Sequence, residues 1–250
     1  MEDLVSVIMP SYNSSRFIGE SIWSVLKQSY VTWELLIVDD CSQDNSVEII
    51  NQYIEKDCRI RLIALKYNVG AAAARNIALE NARGRFIAFL DSDDVWRENK
   101  LEYQVKYMLE HNIPFSFSSY DIMKEDGERL NKIVKVPSKL SYCRYLCNTI
   151  IGCLTVVIDR DVVGDFRMPI IRSSHDMALW LLIMKRGFKA YGLKECLATY
   201  RLVATSNTSK KWKAAKDVWK VYRDIEHLSV FYSMYCFCGY TFNAICKRVL

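Results

Sequence analysis

Four short apolar runs, at 5–9, 34–38, 60–65 and 86–90, alternate with stretches of helical period. That alternation constrains the fold more than anything else in the chain. Phe17, Ile22, Val25 and Leu26 repeat at helical spacing, and Val47, Ile50, Tyr53 and Ile54 share one side of a helix over 45–56. Residues 71–82 read as a helix opened by alanines, and 99–111 as a further helix before a strand at 115–118. Short continuous apolar runs alternating with helices predict a parallel sheet covered on both faces. The middle is less regular: a turn at Asp126-Gly127, a short helix over 141–147, a strand at 155–158, and a helix over 176–186 stopped by Gly187. No internal repeat, low-complexity linker or clear domain break is present.

Three of the runs end in polar groups: Pro10-Ser11-Tyr12, Asp39-Asp40 and Asp91-Ser92-Asp93-Asp94. In open α/β sheets ligands bind beyond the carboxyl ends of the strands, so the first half reads as a nucleotide-type binding half. Asp91, Asp93 and Asp94 repel one another and call for a counter-charge. Hard divalent cations take oxygen ligands, and Mg²⁺ typically uses one or two carboxylates plus substrate phosphates. The plainer reading is a polar turn with Asp94 near a helix start. Asp39 and Asp40 can accept hydrogen bonds from a base or ribose, while Asp44 or Asn45 cap the next helix. In NVGAAAARN, residues 68–76, the alanines let a helix lie close to the sheet, and Arg75 reaches a phosphate or forms a structural ion pair. The glycine fingerprint of a dinucleotide site is absent. Asp176 starts an amphipathic helix, either as an acid favoured by the helix dipole or as a catalytic base on a rigid element.

These motifs in order, VSVIMPSYN, ELLIVDDCSQDNS, NVGAAAARN, GRFIAFLDSDDVW and HDMALWLLIMKRGF, resemble a family 2 glycosyltransferase with the GT-A fold. The segment TSNTSKKWKAAKDVWKVYRDIEHLS is similar to the bacterial subgroup that builds teichuronic acid and capsular polysaccharides. The resemblance implies an α/β fold: a Rossmann-like, mostly parallel sheet flanked by helices over 1–205, with nucleotide-sugar binding in about 1–120 and the acceptor part in about 121–205. A basic and aromatic helical tail follows over 206–250. It implies an inverting enzyme that moves a sugar from a nucleotide diphosphate-sugar, with UDP expected, to a hydroxyl of a glycan or lipid-linked acceptor. Pro10, Tyr12, Asn13, Asp39 and Asp40 would line the base, with Asn68, Arg75, Ser92 and Arg201 also on the donor. Asp91 would contact the ribose side and, with Asp93, a Mn²⁺ or Mg²⁺ ion. Asp176 would be the base. The QxxRW of processive synthases is missing, which favours addition of single sugars.

Two positions depart from the family pattern. His175 stands where an acid usually precedes Asp176, and Val203 stands where a histidine often follows the Tyr200-Arg201 pair. The Ser206-Asn207-Thr208-Ser209 loop remains a further candidate for phosphate contact. A catalytically inactive nucleotide-sugar-binding protein is the alternative that His175 keeps open. A HAD-type phosphatase matches DxDxV at 91–95 but lacks its later motif, and a nucleotidyltransferase would want a glycine-rich basic loop after the first strand.

Composition limits the remaining choices. The chain has 250 residues, 51% hydrophobic and 25% charged, enough for a substantial core. A net charge of +5 gives no case for nucleic acid. Lys210, Lys211, Lys213, Lys216, Lys220 and Arg223 gather in the tail. Nine cysteines without a CxxC pair and only three histidines read as reduced, packed thiols rather than a zinc site. Glu2 and Asp3 precede the first run, unlike a signal peptide, so the expected location is the cytoplasm or the inner face of its membrane. Residues 228–246 carry no charge and many aromatics. They are long enough to span a bilayer but suit an interface better, and a buried or oligomer-forming helix is the third reading. Peripheral membrane contact through 210–250 is therefore an expectation.

Overall fold

The computed structural model describes residues 3–203 and 211–249, without the side chains of Asn131, Lys211 and residues 245–249. Strands β1 (Val5–Ser11), β2 (Trp33–Asp39), β3 (Ile60–Ala64) and β4 (Phe86–Phe89) pair in parallel in the order β3-β2-β1-β4. Helices α1 (Ile18–Leu26), α2 (Ser46–Ile54) and α3 (Ala71–Asn81) make the crossovers.

The second half holds β5 (Val95–Trp96), α4 (Lys100–His111), β6 (Phe115–Lys124), β7 (Arg129–Val134), β8 (Lys139–Leu140) and α5 (Tyr142–Cys147). It continues with β9 (Val157–Asp159), α6 (Arg160–Val163), α7 (His175–Lys185), β10 (Ala190–Leu202), α8 (Lys211–Lys220), a π-helical turn (Val221–Ile225) and α9 (Val230–Val249). β9 lies antiparallel between β4 and β6, and the sheet continues through β10 to β5. The parallel half thus leads into a mixed half.

Period-two alternation sorts the side chains to two cores. Val5, Val7, Met9, Leu35, Ile37 and Ala88 face α1, α2 and α4. The intervening Ile8, Leu36, Val38, Ile87 and Phe89 face α3, α5 and α7. Trp180 of α7 packs against Phe89 and Phe115, each with ring centroids 5.4 Å away. This contact holds the helix that begins with His175 and Asp176 against the sheet.

The first-half elements fall within one or two residues of their expected bounds. β6 runs further than 115–118 because β7 returns after the Asp126-Gly127 turn and pairs with it. β10 has no counterpart in the sequence reading. Lys194 and Glu195 interrupt its apolar pattern where its register with β6 shifts, so pairing rather than periodicity makes it a strand. Beyond 205, Val218, Val221, Tyr222 and Cys236 are buried in the core that holds α5 and α7. No helix among the described residues is long and apolar enough to cross a membrane, which removes the spanning reading of 228–246 for that part of the chain. The Ser206-Asn207-Thr208-Ser209 loop lies outside the described residues.

Candidate active site

The order β3-β2-β1-β4 reverses direction at β1, the kind of switch point beyond whose strand ends open α/β sheets bind ligands. The chain leaves β1 through Pro10, half-exposed Tyr12 and Asn13, which takes a left-handed φ of 48°. The Asn13 side chain accepts from the Gln43 amide at 2.8 Å, and the Asn13 amide donates to Ser42 Oγ at 2.9 Å. Asn13 therefore ties the β1 loop to the β2 loop. Ser14 and Ser92 join hydroxyls at 2.7 Å, linking the same loop to the acidic turn.

Asp39 and Asp40 are both buried. Asp39 accepts from the Ser42 amide at 2.9 Å and the Ser42 hydroxyl at 2.6 Å. Asp40 accepts from the amides of Val69 at 2.6 Å and Gly70 at 2.8 Å, and Asn68 Nδ2 donates to the Asp40 carbonyl at 3.1 Å. Gly70 sits at φ 88°, ψ 155°, a conformation open essentially to glycine alone, just before α3. Asp40 thereby fixes the entry of the helix that carries Arg75.

Asp91, Ser92, Asp93 and Asp94 follow β4. Burial, then the Asp91 charge, pushes Asp93 up to about 6. Asp94 is fully enclosed and burial drives it well above the usual carboxylate range, with Asp93 and Asp91 adding to the effect. Its Oδ1 accepts from the Arg201 amide at 2.8 Å, and its Oδ2 has no partner among the described residues. Arg201 is buried, donates to the Asp93 carbonyl at 2.8 Å and pairs with Glu20. It braces the acidic turn from below.

Arg75 is buried on the other side of the turn, with Nη2 on Asp91 and Nη1 donating to His175 Nε2 at 2.6 Å. Burial opposes its charge, but Asp91, helped by Cys153 and Asp176, outweighs burial and raises its pKa. Burial and then the Arg75 charge hold His175 below its ordinary value, so the ring is neutral at pH 7 and accepts at Nε2. Ser174, just before it, takes φ 57°. Three of the five non-glycine residues at positive φ among the described residues, Asn13, Cys41 and Ser174, stand in loops that carry or adjoin the expected site residues, where strained backbone is commonly functional. The half-buried Asp176 carboxylate accepts no hydrogen bond among the described residues, so it is not consumed as a helix cap.

The expected residues therefore gather around the strand ends of the switch point, and several make contacts the sequence did not disclose. Arg75 is the structural ion pair that it reads as in isolation, yet its partner is the acidic turn itself. Glu20, Ser14 and Tyr145 were not singled out. Tyr145 is buried on α5, and burial and then the Asp176 charge raise its phenol pKa. No local pattern marks these residues, since Glu20 and Ser14 meet Arg201 and Ser92 across 181 and 78 positions and Tyr145 reaches Asp176 from a different helix. No three His, Cys, Asp or Glu side chains converge as metal ligands among the described residues. Asp91 and Asp93 still supply the one or two hard oxygens that Mg²⁺ or Mn²⁺ takes alongside phosphates. Burial and mutual repulsion raise Asp93 and Asp94, an effect that a cation beside the turn would offset, so the residues fit a divalent cation.

A family model for glycosyl transferase family 2 matches residues 6–153. TuaG of Bacillus subtilis, which carries the name of a teichuronic acid biosynthesis glycosyltransferase, is 52% identical over 98% of this chain and 98% of its own length. The Escherichia coli protein WfgD is named a UDP-Glc:alpha-D-GlcNAc-diphosphoundecaprenol beta-1,3-glucosyltransferase. It is 46% identical over 90% of this chain and 87% of its own. Among solved structures, Staphylococcus aureus TarS 1–349 with UDP-GlcNAc superposes with a TM-score of 0.72 at 21% identity, over 95% of this chain and 71% of that one. The mannosyltransferase PcManGT of Pyrobaculum calidifontis, with GDP-Man and Mn²⁺, gives 0.72 at 16% identity over 97% and 70%. The two structures support the GT-A fold, and by the family model and the identity to its relatives the chain belongs to glycosyl transferase family 2.

Proposed function

We propose that the chain is an inverting, metal-dependent glycosyltransferase of bacterial surface polysaccharide biosynthesis, moving a sugar from a UDP-sugar to a hydroxyl of a glycan or lipid-linked acceptor. The observation that carries this is Arg75. One guanidinium touches Asp91 on the donor side and His175, the neighbour of Asp176, on the acceptor side. A donor diphosphate and an attacking hydroxyl would thus meet within one polar crevice. The names of TuaG and WfgD support the pathway, the UDP donor and the lipid-linked acceptor.

Pro10, Tyr12, Asn13 and Asn68 would flank the base and ribose. Asp39 Oδ1 and both oxygens of Asp40 each accept one hydrogen bond and can accept a second, which suits a base N–H. Asp91 and Asp93, with Ser92 between them, would hold Mg²⁺ or Mn²⁺. When bound, such an ion neutralises charge on a diphosphate leaving group. Arg75 places a fixed positive charge beside the same turn, and Arg201 keeps the turn in shape. Asp176 takes the proton from the acceptor hydroxyl as it attacks the anomeric carbon from the face opposite the leaving diphosphate. Neutral His175 adds no charge that would compete with that role. The site of action is the cytoplasmic face of the membrane.

Thermal unfolding with UDP and Mn²⁺ tests the reading, since a ligand that binds only the native state raises apparent stability. UDP with Mn²⁺ should raise the midpoint, and Asp93→Ala should lose most of the shift. A variant that responds like the parent would remove Asp93 from the donor site. Transfer from UDP-sugars, assayed on the parent, separates an active enzyme from a binding protein.

A further inference from the structure

Helix α9 has two unlike faces. Ser233 and Cys236 are buried, and Gly239 lies so close to α5 that a Cβ there would stand 2.8 Å from the Cβ of Cys147. The opposite face carries Val230, Phe231, Met234, Tyr235 and Phe242. Phe231 is 86% exposed, Tyr235 69% and Phe242 67%. No charged residue interrupts 228–246. A contiguous aromatic face of this kind on a folded chain marks an interaction surface.

A cavity of about 530 Å³ opens along one flank of this face, between α9, α5 and β8. It is lined by Lys139, Cys143, Arg144, Asn148, Tyr232 and Tyr235 among others. Tyr235 belongs to both features, so they are continuous. Lys139 is exposed, with its ammonium 4.8 Å from the Tyr191 ring centroid, and Arg144 is exposed with no ion pair among the described residues. Asn148 Oδ1 is enclosed and without a partner. Two cations and an unsatisfied acceptor thus border an apolar face, and no acid lines the cavity. Phosphate would answer the cations. Aromatic side chains beside cations are the arrangement that seats a helix in a lipid headgroup layer.

We propose that the exposed face of α9 and the adjoining α5–α9 cavity form a docking surface for an anionic phospholipid bilayer, with a lipid phosphate seated between Lys139 and Arg144. The same helix α5 that turns Arg144 outward turns Tyr145 inward to within reach of the Asp176 charge. A bilayer on this surface therefore lies one helix from the candidate base, which suits the lipid-linked acceptor proposed above. The docking itself does not depend on that reading, because vesicle binding needs neither donor nor acceptor.

The test is co-sedimentation of the full chain with phosphatidylcholine vesicles, with and without phosphatidylglycerol, at low and high salt. The chain should pellet with the anionic vesicles and be released by salt. Lys139→Gln with Arg144→Gln should weaken binding by about 25-fold, about fivefold for each basic residue near the surface. Phe231→Ser, Tyr235→Ser and Phe242→Ser together should abolish it, with the unfolding transition of both variants kept as the check on folding. Equal binding to neutral vesicles, or an unchanged charge variant, would overturn the phosphate seat. An aromatic variant that binds like the parent would overturn the whole surface. So would a parent that ignores vesicles but sediments as a dimer lost in the aromatic variant, an outcome that assigns the face to a second copy of the chain.

Discussion

Arg75 holds an anion with one nitrogen and a neutral ring with another, and both contacts depend on its being buried. Asp176, close by, keeps its carboxylate free of hydrogen bonds from described residues. Replacing Asp176 with Asn should therefore leave stability within about 0.5 kcal/mol of the parent, as for substitutions that break no such feature. Turnover should fall by about 10²–10⁴-fold, the usual contribution of a general base, while UDP affinity stays put. Transfer rates and UDP titration on the same variant check both parts, and near-parental turnover would shift attention to His175. Asp93 gives a pH prediction. Its folded pKa of about 6 lies above that of a free carboxylate, so between about 4 and 6 the folded chain holds a proton that the unfolded chain has lost. Without metal, that contribution to stability disappears as pH rises through about 6. A cation needs the ionised form, so the stabilisation by Mn²⁺ should be full above pH 7 and shrink as pH falls below about 6. Thermal shifts with and without Mn²⁺ across this range would show it, and a shift independent of pH would exclude Asp93 as a ligand.

At the scale of elements, the site is held by where helices begin and what they lean on. α3 enters through Gly70 under the Asp40 clamp, and α7 leans on Phe89 and Phe115 through Trp180. Gly70→Ala forces a side chain into a backbone conformation that costs about 1–3 kcal/mol. The added Cβ meets nothing within 4 Å, so the cost is conformational rather than steric crowding. Denaturant unfolding should register that loss, and UDP binding should weaken as the Asp40 clamp loosens. Trp180→Ala removes a fully buried ring and should cost about 3–5 kcal/mol. Because α7 carries Asp176, any folded fraction should also turn over more slowly. A Trp180→Ala protein with parental stability would mean that the contact with the sheet does not position α7.

On the scale of the whole molecule, the tail is part of the core. Val218, Val221, Tyr222 and Cys236 pack with α5 and α7, and the Tyr222 hydroxyl bonds to the Leu146 carbonyl. Each large apolar side chain returned to water costs about 1.5–3 kcal/mol, so losing three of them approaches the 5–15 kcal/mol that holds a typical domain. A chain cut after Ser209 should lose its cooperative transition or bind a hydrophobic dye, as calorimetry and dye fluorescence would show.

Much of this molecule is legible in the sequence because the relevant physics is local. Strand period, helix period and the placement of acids at strand ends depend on neighbours within a turn or a pleat. That is why β1 to β4, α1 to α4 and the three acidic or polar strand ends could be placed from the residues alone. The nature of the partners could not. Arg75 meets His175 across 100 positions and Arg201 meets Asp94 across 107, and nothing in either neighbourhood encodes the other. β10 reads as no strand until β6 supplies its partner. The uncharged run of 228–246 suits an interface better than a span, but its composition does not say which of its faces is buried. Only the packing of α5 against Gly239 decides which face is covered and which is left to solvent. Local periodicity determined the parallel half and the acids it presents; long-range contact, invisible to any local pattern, decided how those acids are balanced and where the aromatic face of α9 points.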